Sequence, residues 1–202
     1  MKKIMFYRRK TNVRPVGEST PSPVTLAVLF AMFLCGLLIG GAGCCAGGPA
    51  AEACRRLALF LLGGSPLKAG AAGLGFMLFT VVTCLFFGLS PLGSVPLAAL
   101  MLVKGMRYGI MACTLLREYA IKGLIYEMLI VLPGASCAVY ASLLLAGLAV
   151  QLSRQTAQYL FLGGSAAPEI KKYLPKAGKA CAGMALGCAL DALAAALFSG
   201  LF

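Results

Sequence analysis

The chain alternates long uncharged apolar runs with short polar segments. The first run, residues 24–43, holds 20 residues without a charge, and at about 1.5 Å per helical residue it crosses a hydrocarbon core of about 30 Å. From 69 to 103 another 35 residues pass uncharged, more than one ordinary span needs. The break among them is SPLGSVP, beginning at Ser90, whose prolines and glycine suit a tight turn between helices. Spans are therefore predicted over 24–43, 69–89, 96–116, 123–150 and 180–202. Pro133 falls inside the fourth, where a residue without an N–H predicts a kink.

The polar segments complete a single transmembrane domain over 1–202: a basic arm at 1–23, an external segment at 44–68 and a basic loop at 151–179. In the external segment, AAEACRRLALFLL sets Glu52 four residues before Arg56 within a leucine-rich stretch, which predicts a short helix lying on the outer leaflet. In the loop, PEIKK has the order of proline, acid and lysines that complements a helix dipole. The predicted fold class is all-α: a polytopic membrane protein, a bundle of about five transmembrane helices with short amphipathic helices in the loops.

Composition agrees. Sixty per cent of the 202 residues are hydrophobic and 12% charged, as in a chain whose solvent is largely lipid. Its formal charge of +12 matters through its distribution, because basic residues concentrate on the cytoplasmic side. With the N-terminus inside, five spans leave eleven basic residues in cytoplasmic segments and five outside, with two in the membrane. A re-entrant hairpin over 90–103 would leave four spans with ten inside and eight outside, a weaker asymmetry. Five spans also put the C-terminus outside. No solvated basic domain long enough for a nucleic-acid footprint is present, so the lipid bilayer is the expected partner and nucleic acid is not.

The chain has no histidine, which removes Ser-His and Cys-His nucleophile pairs, His-containing zinc sites and the usual proton shuttle. No catalytic, cofactor or metal site is expected. Nine cysteines show no CxxC spacing. Cys35, Cys84, Cys113, Cys137, Cys181 and Cys188 lie in apolar runs, where a thiol packs as a small hydrophobe. Cys44, Cys45 and Cys54 lie at or beside the external segment, where Cys54 could bridge to Cys44 or Cys45 if oxidised.

Two features within the spans invite function. Lys104 and Arg107 are one helical turn apart, about 12 Å and 16 Å into a span that starts near Pro96. A charge at such depth costs about 2.5–3.5 kcal/mol on insertion scales and turns inward to a partner or a wet cavity. Asp191 and Glu127 are the acids at comparable depth, and the four are predicted to form a charge cluster that pins spans three, four and five. A hydrated path through the same residues is the alternative. Close helix packing is predicted at two small-xxx-small faces, Gly36 with Gly40 and Gly183 with Gly187. Such faces are equally open to a homo-oligomer.

FLCGLLIGG in the first span, KGMRYG in the third and IKGLIYEMLIVLP leading into the fourth resemble, in order and spacing, the stage II sporulation protein M family of endospore-forming bacteria. One departure follows Pro133, where GASCAVYAS replaces the polar residue the family tends to carry. The resemblance implies a non-enzymatic scaffold in the mother-cell membrane, at the sporulation septum and engulfing membrane. There it would recruit or hold the peptidoglycan-degrading stage II sporulation proteins D and P during engulfment. The competing expectation, from the charges alone, is a small transporter or permease component.

Overall fold

The computed structural model describes residues 21–46, 48–49, 51–53, 56, 66–128, 132–162 and 170–198. Five long helices are described: α1 (Pro23–Cys45), α2 (Pro66–Leu89), α3 (Ser94–Tyr126), α4 (Leu132–Leu162) and α5 (Ile170–Phe198). Among the described residues there is no strand. Three helical stretches are long and apolar enough to cross a membrane, Pro23–Cys45, Ser94–Glu118 and Leu132–Phe161, which fits a membrane location. The apolar part of α2, Gly73–Leu89, is shorter, and α5 is diluted by Lys171, Lys172, Lys176, Lys179 and Asp191.

Local chemistry sets most helix ends. Ser22 caps α1, its Oγ accepting from the Thr25 N–H at 3.3 Å, and Pro23 occupies the first turn, where a missing N–H costs nothing. SPLGSVP forms the predicted turn between α2 and α3, through Ser90 N to Phe87 O at 3.2 Å and Gly93 N to Ser90 O at 3.1 Å. A Cβ on Gly93 would overlap the Phe87 carbonyl, so the turn needs glycine. Ser153, on α4, clamps it: its Oγ donates to Ser90 O at 2.7 Å and accepts from Gly93 N at 3.1 Å.

Several predicted bounds shift. α3 does not stop near 116 but runs through REYAIK, broken at Ala120, whose φ of 45° and ψ of −122° are not helical. Such a backbone is strained for a residue with a Cβ. Pro133 is the second described residue of α4, and residues 129–131 before it lie outside the described residues, so the predicted kink falls at the edge of what is described. α4 continues to Leu162 and α5 begins at Ile170, so helix occupies both ends of the expected loop. Pro175 is the proline that lies inside a described helix.

Contacts fix the relative directions. Gly36 meets Leu102 and Gly109 meets Leu37, so α1 and α3 run parallel. Gly183 faces Ala141 and Gly187 faces Ala138, so α4 and α5 are antiparallel. Gly88 packs on Ala149 and Gly93 on Ser153, which makes α2 parallel to α4. The directions therefore alternate along the chain. α4 is the central element: 145–150 are all buried, and Leu145 meets Leu97, Met101, Cys84 and Met184 in one apolar core. Large apolar side chains such as Leu38, Phe86 and Leu78 stand exposed on the outside, a distribution that suits lipid rather than water.

Candidate functional site

α3 carries the site because its two sides meet different neighbours. On one side, Gly105 and Gly109 repeat the four-residue spacing of Gly36 and Gly40, and the two pairs interlock. A Cβ on Gly36 would overlap the Leu102 carbonyl, one on Gly40 the Met106 carbonyl, one on Gly105 that of Phe33 and one on Gly109 that of Leu37. Backbone thus lies on backbone. Gly183 and Gly187 belong to another contact, with α4, where the Ala138 N would lie 2.9 Å from a Cβ at Gly187 and the Ala141 Cβ 3.2 Å from one at Gly183. The two glycine faces read from the sequence do not meet each other. The GxxxG of Gly105 and Gly109 stood in plain view within KGMRYG, masked by the charges between and beside them.

On the other side of α3, Lys104 and Arg107 point into the bundle. Lys104 is only 4% exposed. Its Nζ donates to Ser142 Oγ, which in turn donates to the Ala138 carbonyl. Ser142 is fully buried on α4. The Arg107 guanidinium lies over the Phe76 ring of α2, 4.6 Å from the centroid, and the Lys104 ammonium 5.8 Å from the same centroid. An aromatic face offers a buried cation its negative quadrupole without a counter-ion, and the planar guanidinium suits such stacking.

The predicted neutralisation takes a different form. Among the described residues, no ion pair joins Lys104 or Arg107 to Asp191 or Glu127. Asp191 does come to the site: a Cβ on Gly134 would overlap its carboxylate, and the Arg107 charge acts on it through space. Yet Asp191 Oδ1 and Arg107 Nε are both buried without a hydrogen-bond partner among the described residues. Glu127 is not brought in. It follows the break at Ala120, in a short stretch past the end of α3. The cations are satisfied by a hydroxyl and a ring, because those groups lie on the helices that α3 packs against, whereas Asp191 lies on α5, which packs against α2 and α4 instead, and Glu127 lies beyond the break.

Ser142 and Phe76 are the site residues that charge-based reading passes over. The only signal for Ser142 is a lone hydroxyl in an apolar run; Phe76 carries none. No group of three or more metal-ligating side chains forms among the described residues.

Near the far end of the glycine contact, Cys44 is buried against α3, with Sγ 3.8 Å from Ile110 O and 3.9 Å from Thr114 Oγ1. Cys44 and Cys45 are both free thiols, and Cys54, which could bridge to either if oxidised, lies outside the described residues. In that segment Glu52 and Arg56 do pair, at 3.1 Å, both well exposed. Compared with family models, curated proteins and solved structures, the chain matches none.

Proposed function

We propose that this protein is a non-enzymatic scaffold of five membrane spans, which holds peptidoglycan-degrading partners at the sporulation septum during engulfment. The sporulation role and its partners, the stage II sporulation proteins D and P, rest on the resemblance of FLCGLLIGG, KGMRYG and IKGLIYEMLIVLP. The observation that favours a scaffold over a conduit is the fate of the buried cations. Lys104 is bonded to Ser142 and Arg107 is stacked on Phe76, so both charges tie α3 to its neighbours. The alternating helix directions support five spans: α1, α3 and α5 outward, α2 and α4 inward, with the basic arm and the α4–α5 connection in the cytoplasm. The shorter apolar part of α2 is accommodated by local bilayer thinning.

Deletion in a spore former, with imaging of the septum and of the two hydrolases, tests the role. Stalled engulfment and misplaced hydrolases are expected; normal engulfment with unchanged hydrolase placement overturns the reading. A transporter remains the second reading on one observation, that Arg107 Nε and Asp191 Oδ1 have no hydrogen-bond partner among the described residues, since intramembrane ionisable groups often mark ion paths.

A further inference from the structure

We infer that Cys45 and Cys113 form a thiol–disulfide site that covalently closes one end of the α1–α3 contact. Their Sγ atoms lie 3.5 Å apart, although 68 residues separate them in sequence. Cys45 is exposed and Cys113 half-buried, so a reagent reaches the first and the second stands behind it. A disulfide needs about 2.05 Å between sulfurs, so the two thiols have about 1.5 Å to close from 3.5 Å. The two helices are already held together here. The interlocked glycines set their spacing, and beyond them Arg117 Nη1 donates to the Cys44 carbonyl at 2.6 Å, tying the last turn of α1 to α3. Cys44, the neighbour that would compete, is turned into α3.

The co-reactant is an external disulfide, of the class carried by exported dithiol oxidases. The Cys45 thiolate attacks it, forming a mixed disulfide and releasing one thiol. The Cys113 thiolate then attacks the Cys45 sulfur and releases the second, and the two cysteine protons pass through water to the two departing thiolates, which leave as thiols. Two thiols are oxidised and one disulfide is reduced to two thiols. Access of that reagent rests on the proposed topology, which puts this end of α1 and α3 outside the cell, where disulfides persist.

The test uses the full-length protein in detergent with oxidised glutathione as the probe, followed by alkylation and peptide mass analysis without reduction. The expected result is loss of two alkylatable thiols and a cross-linked peptide joining Cys45 to Cys113, absent in Cys45→Ser and in Cys113→Ser and retained in Cys44→Ser. Recovery of Cys45 as a stable glutathione adduct, bridged to Cys54, or still alkylatable overturns the site. Sidedness is read separately, after reduction of the cells with a membrane-impermeant phosphine, with a membrane-impermeant maleimide on the intact cells. Labelling of Cys45 there supports the external location, whereas labelling only in inverted vesicles overturns the topology, whatever the cross-linking shows.

Discussion

The two sides of α3 solve the same problem by different physics. Towards α1, Gly105 and Gly109 bring backbone against backbone, and the nearest atoms are the carbonyls of Phe33 and Leu37. Towards α2 and α4, Lys104 and Arg107 reach a hydroxyl and an aromatic ring. In lipid no hydrophobic drive separates helix from solvent, so close packing and polar contacts have to hold a bundle. The glycine side has no slack, since a carbonyl cannot rotate away from an added atom. The cationic side retains some, since long side chains can re-aim and two of its polar atoms lack partners among the described residues. Substitutions should therefore be punished more sharply on the first side than on the second.

The largest effect is expected at Gly36 and Gly105. An exposed helical glycine gains about 0.5–1 kcal/mol when replaced by alanine, and Gly75, with nothing within 4 Å of a Cβ, should behave so. Gly36→Ala should go the other way, because its methyl would overlap the Leu102 carbonyl; overpacking of this kind costs about 1–3 kcal/mol. Gly36→Leu should lose most of the folded protein. Gly183→Leu should cost less, since its nearest neighbour is the Ala141 methyl. Thermal unfolding and monodisperse yield in detergent measure the series. If Gly36→Ala is as stable as the parent, the contact is looser than backbone on backbone and the two sides of α3 do not differ.

Next in size is the Lys104 contact. Ser142→Ala leaves a buried ammonium without its acceptor, which costs about 1–3 kcal/mol. Lys104→Met removes the charge and its desolvation together while keeping the volume, and such replacements are often neutral or stabilising. The expected order of stability is Lys104→Met at or above the parent and Ser142→Ala below it, read from unfolding midpoints. The reverse order would mean that the lysine is held by something other than Ser142. A hydrated path makes a separate demand, that Lys104→Met abolish ion or substrate uptake with stability unchanged.

What the sequence reveals depends on which interactions are local. The break between α2 and α3 is legible because Pro91, Gly93 and Pro96 act on their own backbone. That Lys104 and Arg107 share one face is legible too, since it follows from their spacing along one helix, and both lie over the Phe76 ring. Which helix faces Gly36 is not, because several helices carry small residues and their spacing names no partner. Ser142 stayed invisible because a hydroxyl in a span can bond to its own helix, and only the packing of α4 against α3 gives it a cation.

The smallest effect should come from Asp191, and it bears most on the competing reading of the bundle. A direct buried ion pair loses about 3–5 kcal/mol when one partner is removed. Asp191 has no such bond, and Oδ1 lacks any hydrogen-bond partner among the described residues. Its link to Arg107 is through space, while Arg107 is held by Phe76. Asp191→Asn, which keeps shape and polarity against Gly134, should therefore change stability little. A double-mutant cycle of Asp191→Asn with Arg107→Gln should show coupling of about 1 kcal/mol or less, a value within the range seen for adjacent groups without a direct bond. Phe76→Leu, by contrast, should weaken the hold on Arg107 by about 0.5–2 kcal/mol. A charge-swap pair sharpens the point: Asp191→Lys would place a third cation at the site and destabilise, and adding Arg107→Glu should restore stability only in part. Full restoration, with coupling near that of a direct pair, would make Asp191 the true counter-ion of Arg107. The cationic side would then be as tightly specified as the glycine side, and the slack inferred from its unpartnered atoms would be gone.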